Sequence, residues 1–119
     1  METEETMRLR SDFFVSALIR RAEVAGAVAM LRRRGAAEAG AIYVKVDRLD
    51  GSAALYGPAA QTEEIPQGVA RLFTRLHGTE WLDPADVEAR LSREIEFDPD
   101  LWIVEIEDRQ GRAFIDSVA

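Results

Sequence analysis

Two short stretches of this chain alternate their side chains residue by residue, and that period of two constrains the fold more than any other feature. In IYVKVD, Ile42, Val44 and Val46 fall on one face and Tyr43, Lys45 and Asp47 on the other. In LWIVEIE, Trp102, Val104 and Ile106 share one face, while Leu101, Ile103, Glu105 and Glu107 share the opposite one. Successive strand residues point to opposite sides, so both stretches read as strands. The second begins apolar on both faces, which predicts partial burial of Glu105.

Elsewhere the period changes to that of a helix. In SDFFVSALIRRAEVAG, Phe14, Leu18 and Ala22 recur every four residues, with Val15 and Ile19 beside them. Ser11 is the expected N-cap, Asp12 suits the positive helix start, and Gly26 is placed to end the helix. In DPADVEARLSREIEF, Asp83 is the expected cap and Pro84 occupies the first turn, where its missing N–H costs nothing. Val87, Leu91 and Ile95 form one face, while Asp86, Arg90 and Glu94 stand four apart on another. Asp98 precedes Pro99, which ends the helix.

The remaining segments complete a predicted α+β fold. Ala27–Arg33 reads as a strand, and the RLDGS turn joins Ile42–Asp47 to a strand over Ala53–Gly57, with Asp-Gly supplying a left-handed position. These three strands are expected to form an antiparallel meander. PAAQTEEIPQG is a loop, and VARLFTRLHG is a further strand. DRQG turns the chain through Gly111 so that RAFI closes a C-terminal hairpin. The expectation is a mostly antiparallel sheet of five to six strands with two helices, in a single domain over residues 8–119 behind a disordered acidic tail at 1–7.

Composition removes several chemistries. The chain has no cysteine, which excludes disulfides, thiol catalysis and thiolate metal sites. It has one histidine, His77, so a histidine-rich zinc site is impossible. Hydrophobic residues make up 47% of 119, enough for a core, yet no apolar run approaches the roughly 20 residues that span a bilayer. A polar, acidic start gives no secretory signal, so a soluble cytoplasmic protein is expected. The net charge of −7 repels phosphate backbones and makes nucleic acid an unfavourable partner.

RLRSDFFVSALIRRAEVAG, AGAIYVKVDRLDGSAALYGPA and FDPDLWIVEIEDRQGR together resemble a family of short alphaproteobacterial proteins catalogued only as a domain of unknown function. The resemblance runs from Arg8 to Asp116 and is most specific over Phe97–Arg112. It implies a small bacterial domain and carries over no catalytic residue.

Five features bear on function. The carboxylates Glu94, Glu96, Asp98, Asp100, Glu105 and Glu107 crowd one region, and Glu105 and Glu107 on one strand face suit an acid–base pair or a metal. Their structural counterpart is an arginine-paired edge, with Arg112 available across the hairpin. Arg32, Arg33 and Arg34 offer cations to an anion or an acidic partner, although strand alternation sets Arg33 opposite to Arg32 and Arg34. His77 stands without a nucleophile motif. Trp81 is either an exposed anchor for a partner or a lid over the last helix, whereas Trp102 belongs to the core. GAAEAGA lacks the lysine and the glycine spacing of a phosphate loop. The reading is a non-catalytic protein-binding or adaptor module without cofactor or metal, its candidate contacts being Arg32, Arg33, Arg34, Trp81, Glu105 and Glu107. The alternative is a small enzyme or ligand-binding protein using a carboxylate/arginine site around Glu105 and Glu107. A homodimer through open strand edges is compatible with either.

Overall fold

A computed structural model describes residues 9–60 and 62–118, so the expected tail at 1–7 lies outside the described residues. The chain runs α1 (Ser11–Val24), β1 (Val28–Arg33), β2 (Ile42–Asp47), β3 (Ala53–Pro58), β4 (Leu72–Arg75), α2 (Pro84–Phe97), β5 (Trp102–Glu107) and β6 (Asp116–Ser117). The six strands form one sheet in the order β1-β5-β2-β3-β4-β6. α1 packs on one face, against β1 and β5, and α2 packs on the other, chiefly against β3. Both helices therefore hide apolar stripes against a shared sheet.

The α+β class and both helices agree with the sequence, but the sheet is mixed. β5 enters between β1 and β2, antiparallel to β1 and parallel to β2. The expected three-stranded meander therefore does not exist; only β2–β3 and β3–β4 are antiparallel neighbours in sequence. The physical cause is burial on two sides. β5 places Trp102, Val104 and Ile106 in the core beneath α1 and Ile103 in the core beneath α2, so a central position is the one that removes both faces from water. β1 has a buried Ala29 but exposed Val28 and Met30, and it takes an edge.

The C-terminal hairpin is also absent. Gly111 does adopt a positive φ of 75°, as expected. Residues 112–115 then cross the α1 face as irregular chain, with Ala113, Phe114 and Ile115 against its core. Asp116–Ser117 pairs in parallel with β4 at the far edge. Arg112 consequently does not reach the β5 carboxylates. It forms a two-point pair with Asp108, Nε to Oδ2 at 3.0 Å and Nη2 to Oδ1 at 2.8 Å.

The helix ends divide. Asp83 caps α2, its Oδ1 accepting from Ala85 N at 2.9 Å, and Asp98 leaves helical space before Pro99. Ser11 does not cap α1. It is the first helical residue, fully buried, and its hydroxyl donates to Gly40 O at 2.6 Å. That bond ties α1 to the β1–β2 connection, where GAAEAGA forms a clasp. Ala36 N donates to Asp100 O at 2.9 Å, and Trp102 Nε1 donates to Ala36 O at 2.7 Å.

Candidate functional site

The face of the sheet beneath α2 carries two strand residues that are charged and buried. Lys45 on β2 and Glu105 on β5 pair in register, and only 5% and 9% of their surface is exposed. Parallel pairing of β2 with β5 sets the two side chains beside each other, and α2 brings Glu88 over both. Lys45 Nζ donates to Glu88 Oε2 at 2.7 Å and lies 3.7 Å from Glu105 Oε2. Arg32 adds a fork, with Nη1 and Nη2 on the two Glu88 oxygens at 2.7 and 2.8 Å, and Nη1 also on Glu105 Oε1 at 3.0 Å. Two cations meet two carboxylates, and the formal charges cancel. The Arg32 bonds, followed by those from Lys45, hold the Glu88 carboxyl down to about 2. The Arg32 guanidinium is correspondingly pushed above its ordinary value, chiefly by Glu88.

This arrangement closes the site on itself. Buried charges are tolerated where each finds a partner with good geometry. A catalytic carboxylate needs an oxygen left for substrate, whereas both Glu105 oxygens face cations. Glu107 shares the strand face with Glu105, as expected, but its side chain has no hydrogen bond or ion pair among the described residues. No group of three or more acidic or histidine residues there is arranged to hold a metal ion. Two clefts of about 280 Å³ each open elsewhere on the surface, one beside Phe73 and one beside Leu76, and neither is lined by Glu105, Glu107 or the three arginines.

The arginine triplet is dispersed differently from its alternation. A bulge between Leu31 and Arg33 shifts the register, so Arg32 and Arg34 do not share a side. Arg32 joins Glu88 and Glu105 beneath α2. Arg33 donates to the carbonyls of Pro99 and Leu101, each at 2.8 Å. Arg34 lies over the Trp102 ring, 5.4 Å from its centroid.

Trp81 is half-buried against the α1-side core and does not cover α2. The guanidinium carbons of Arg48 and Arg75 lie 3.8 and 4.6 Å from its ring centroid. Gly111 sits so close to the indole that any side chain there would overlap it. His77 is structural. Its Nε2 accepts from Leu55 N at 3.0 Å and its Nδ1 lies 3.0 Å from Glu80 O. An amide N–H only donates and a carbonyl only accepts, so the ring is neutral with its proton on Nδ1. Burial, with Arg75 nearby, lowers its affinity for a second proton. The imidazole takes the place of a strand where β4 leaves β3, before Leu82 rejoins at Ala53.

Strand β1 is the open feature of the molecule. Among the described residues it pairs only with β5, and its other edge has no strand partner over six residues. Val28, Met30 and Leu31 on it are 53%, 38% and 38% exposed. The opposite edge, β6, has two residues. Sequence reading missed Lys45, Glu88 and the β1 edge. The one available signal was a lone lysine on a strand whose neighbours are apolar.

The chain matches, over residues 9–116, a family model described as "Protein of unknown function (DUF1491)". It is similar to the crystal structure of a DUF1491 family protein from Caulobacter crescentus, with 39% identity, a TM-score of 0.76, and coverage of 93% of this chain and 98% of the other. It is similar also to the solution structure of a protein from A. tumefaciens, with 41% identity, a TM-score of 0.78, and coverage of 93% and 95%. No match was found among curated proteins. No helix among the described residues is long and apolar enough to cross a membrane.

Proposed function

We propose that this chain, which belongs to the DUF1491 family of proteins of unknown function, is a non-catalytic protein-binding module whose docking element is the edge strand β1. The observation that carries this reading is the six-residue open edge with Val28, Met30 and Leu31 exposed on it. An unpaired edge presents N–H and C=O groups that a further strand satisfies, while pockets and apolar side chains alongside provide selectivity. The charged residues that would serve a catalytic or ligand-binding site around Glu105 are instead used in holding α2 to the sheet, which supports binding over catalysis.

The test is affinity capture from nuclease-treated lysate of the source bacterium, comparing wild type with Leu31→Arg and Glu105→Gln. A protein retained by wild type and Glu105→Gln but lost with Leu31→Arg supports docking through β1. Retention by all three, or by none, overturns it.

A further inference from the structure

At the side of the sheet away from β1, strand β4 owes its cover to a few residues of irregular chain. β4 lies between β3 and β6, and β6 consists of Asp116 and Ser117, both exposed. The chain reaches β6 through residues 112–115, which have no secondary structure. We infer that residues 113–118 are a releasable strap. They lift from the α1 face as a unit while the rest of the domain stays folded, and β4 then becomes a second open edge.

The backbone of the strap is weakly held. The N–H groups of Ala113, Phe114 and Ile115 make no hydrogen bond to another described residue. A segment without backbone bonds opens at a lower free energy than a helix or a paired strand. Phe114 has a φ of 61°, a left-handed conformation that is unfavourable for any residue with a Cβ. Lifting the strap relieves that strain. Ala113, Phe114 and Ile115 are only half-buried against the core, so lifting also forfeits less apolar contact than removing a helix would.

The fastenings of the strap are few. At its near end the turn is fixed: Gly111 N donates to Asp108 O at 2.9 Å, and the buried Asp108 carboxylate binds Arg112 at both its N–H and its guanidinium. Motion therefore starts after Arg112. At the far end β6 pairs with Leu72 and Phe73, and Val118 N donates to Phe73 O at 2.8 Å. Between these ends Arg112 lies over the Phe114 ring, 5.0 Å from its centroid. Among the described residues, the middle of the strap accepts hydrogen bonds from Arg21 alone. That arginine, exposed on the last turn of α1, places Nε and Nη2 on Phe114 O at 3.1 and 2.8 Å. This charge-assisted fork is the buckle. Release frees the edge of β4 at Leu72 and Phe73 and the part of the α1-side core that residues 113–115 cover. That surface is separate from β1 and is presented only when the strap lifts.

Proteolysis of the native protein reads the lift directly, because a protease cuts only a bond whose flanking residues are extended and free. Chymotrypsin at low concentration, with the products weighed by mass spectrometry, is expected to cut the full-length chain between Phe114 and Ile115 and to leave the bond after Trp102 intact. Fraying of the last residues alone does not free the Phe114 bond. The cut is expected to be nearly independent of urea below the unfolding transition, since the lift exposes little surface. Where opening and closing outpace cleavage, the rate follows the open population. Arg21→Gln, which removes a charge-assisted bond, is therefore expected to speed the cut at least about tenfold. Arg20→Gln removes the same charge from the neighbouring exposed residue and is expected to match wild type. A Phe114 cut that appears only together with the cut after Trp102, at the same rate and with the same urea dependence, overturns the inference. So does an unchanged rate in Arg21→Gln, or an equal acceleration in Arg20→Gln.

Discussion

At the scale of single residues, close backbone approach and buried polar partners matter more than side-chain type. Gly35 lies against the Asp100 carbonyl and the Leu101 backbone, which are not free to move because Ala36 N and Trp102 are bonded across the same gap. Gly35→Ala is therefore expected to destabilise the fold by about 1–3 kcal/mol in urea denaturation, the range for overpacking a rigid contact. His77 makes a second residue-scale prediction. Its proton affinity is lowered in the folded state, so the unfolded chain takes up the proton first as pH falls through the ordinary histidine value of 6.5. Stability is lost in that direction, and Leu55 N–H loses its acceptor. In His77→Gln, whose side-chain oxygen accepts from Leu55 N–H without titrating, the urea midpoint is expected to lose its slope between neutral pH and about pH 5. A slope equal to that of wild type refutes the assignment. Neither role was legible beforehand. GAAEAGA joins β1 to β2, and nothing local in it says that Asp100 fills the space beside its glycines.

At the scale of elements, helix limits were legible because caps and prolines act within a few residues. Asp83→Ala is expected to cost about 1 kcal/mol, as N-cap losses do. Ser11→Ala is expected to cost about as much for a different reason, since it removes the hydroxyl donated to Gly40 O and not a cap. Amide exchange separates the two cases. Asp83→Ala should speed exchange in the first turn of α2, whereas Ser11→Ala should speed it around residues 36–40 and leave α1 protected. The strands tell the opposite story. Their positions followed from alternation, but their neighbours did not. A period of two states which face a residue occupies and is silent about which strand lies alongside.

At the scale of the whole molecule, pairing of charges sets the pH range of the fold. The carboxyls of Asp12, Asp50, Glu88, Glu94 and Asp108 are all held below their ordinary values, in each case with a side-chain hydrogen bond as the leading cause. A carboxylate with a lowered folded value contributes stability above its unfolded value and loses it as pH falls through the folded one. For Glu88 that window runs from 4.5 down to about 2. Tyr43 behaves in the opposite sense: burial, then the Glu94 carboxylate that accepts its hydroxyl, pushes it up to about 12. The native state keeps this proton where the unfolded chain loses it, so stability falls as pH rises from 10 toward 12. The expected profile is a plateau around neutrality, bounded by acid loss and an alkaline fall. Glu88→Gln should flatten the acid limb between 4.5 and 2 while lowering the plateau. What the sequence determined by itself is local: two helices, one of them capped by Asp83, the strand segments and their faces, a core and the absence of thiol chemistry, all set by neighbours within about five residues. It also brought Glu105 close to burial by its apolar neighbours. Only the tertiary structure decided that β5 enters between β1 and β2, that Lys45 and Glu105 thereby meet under Glu88, and that β1 is left open at the edge. Those outcomes depend on burying both faces of one strand at once, a condition satisfied by the assembled sheet and by no segment alone.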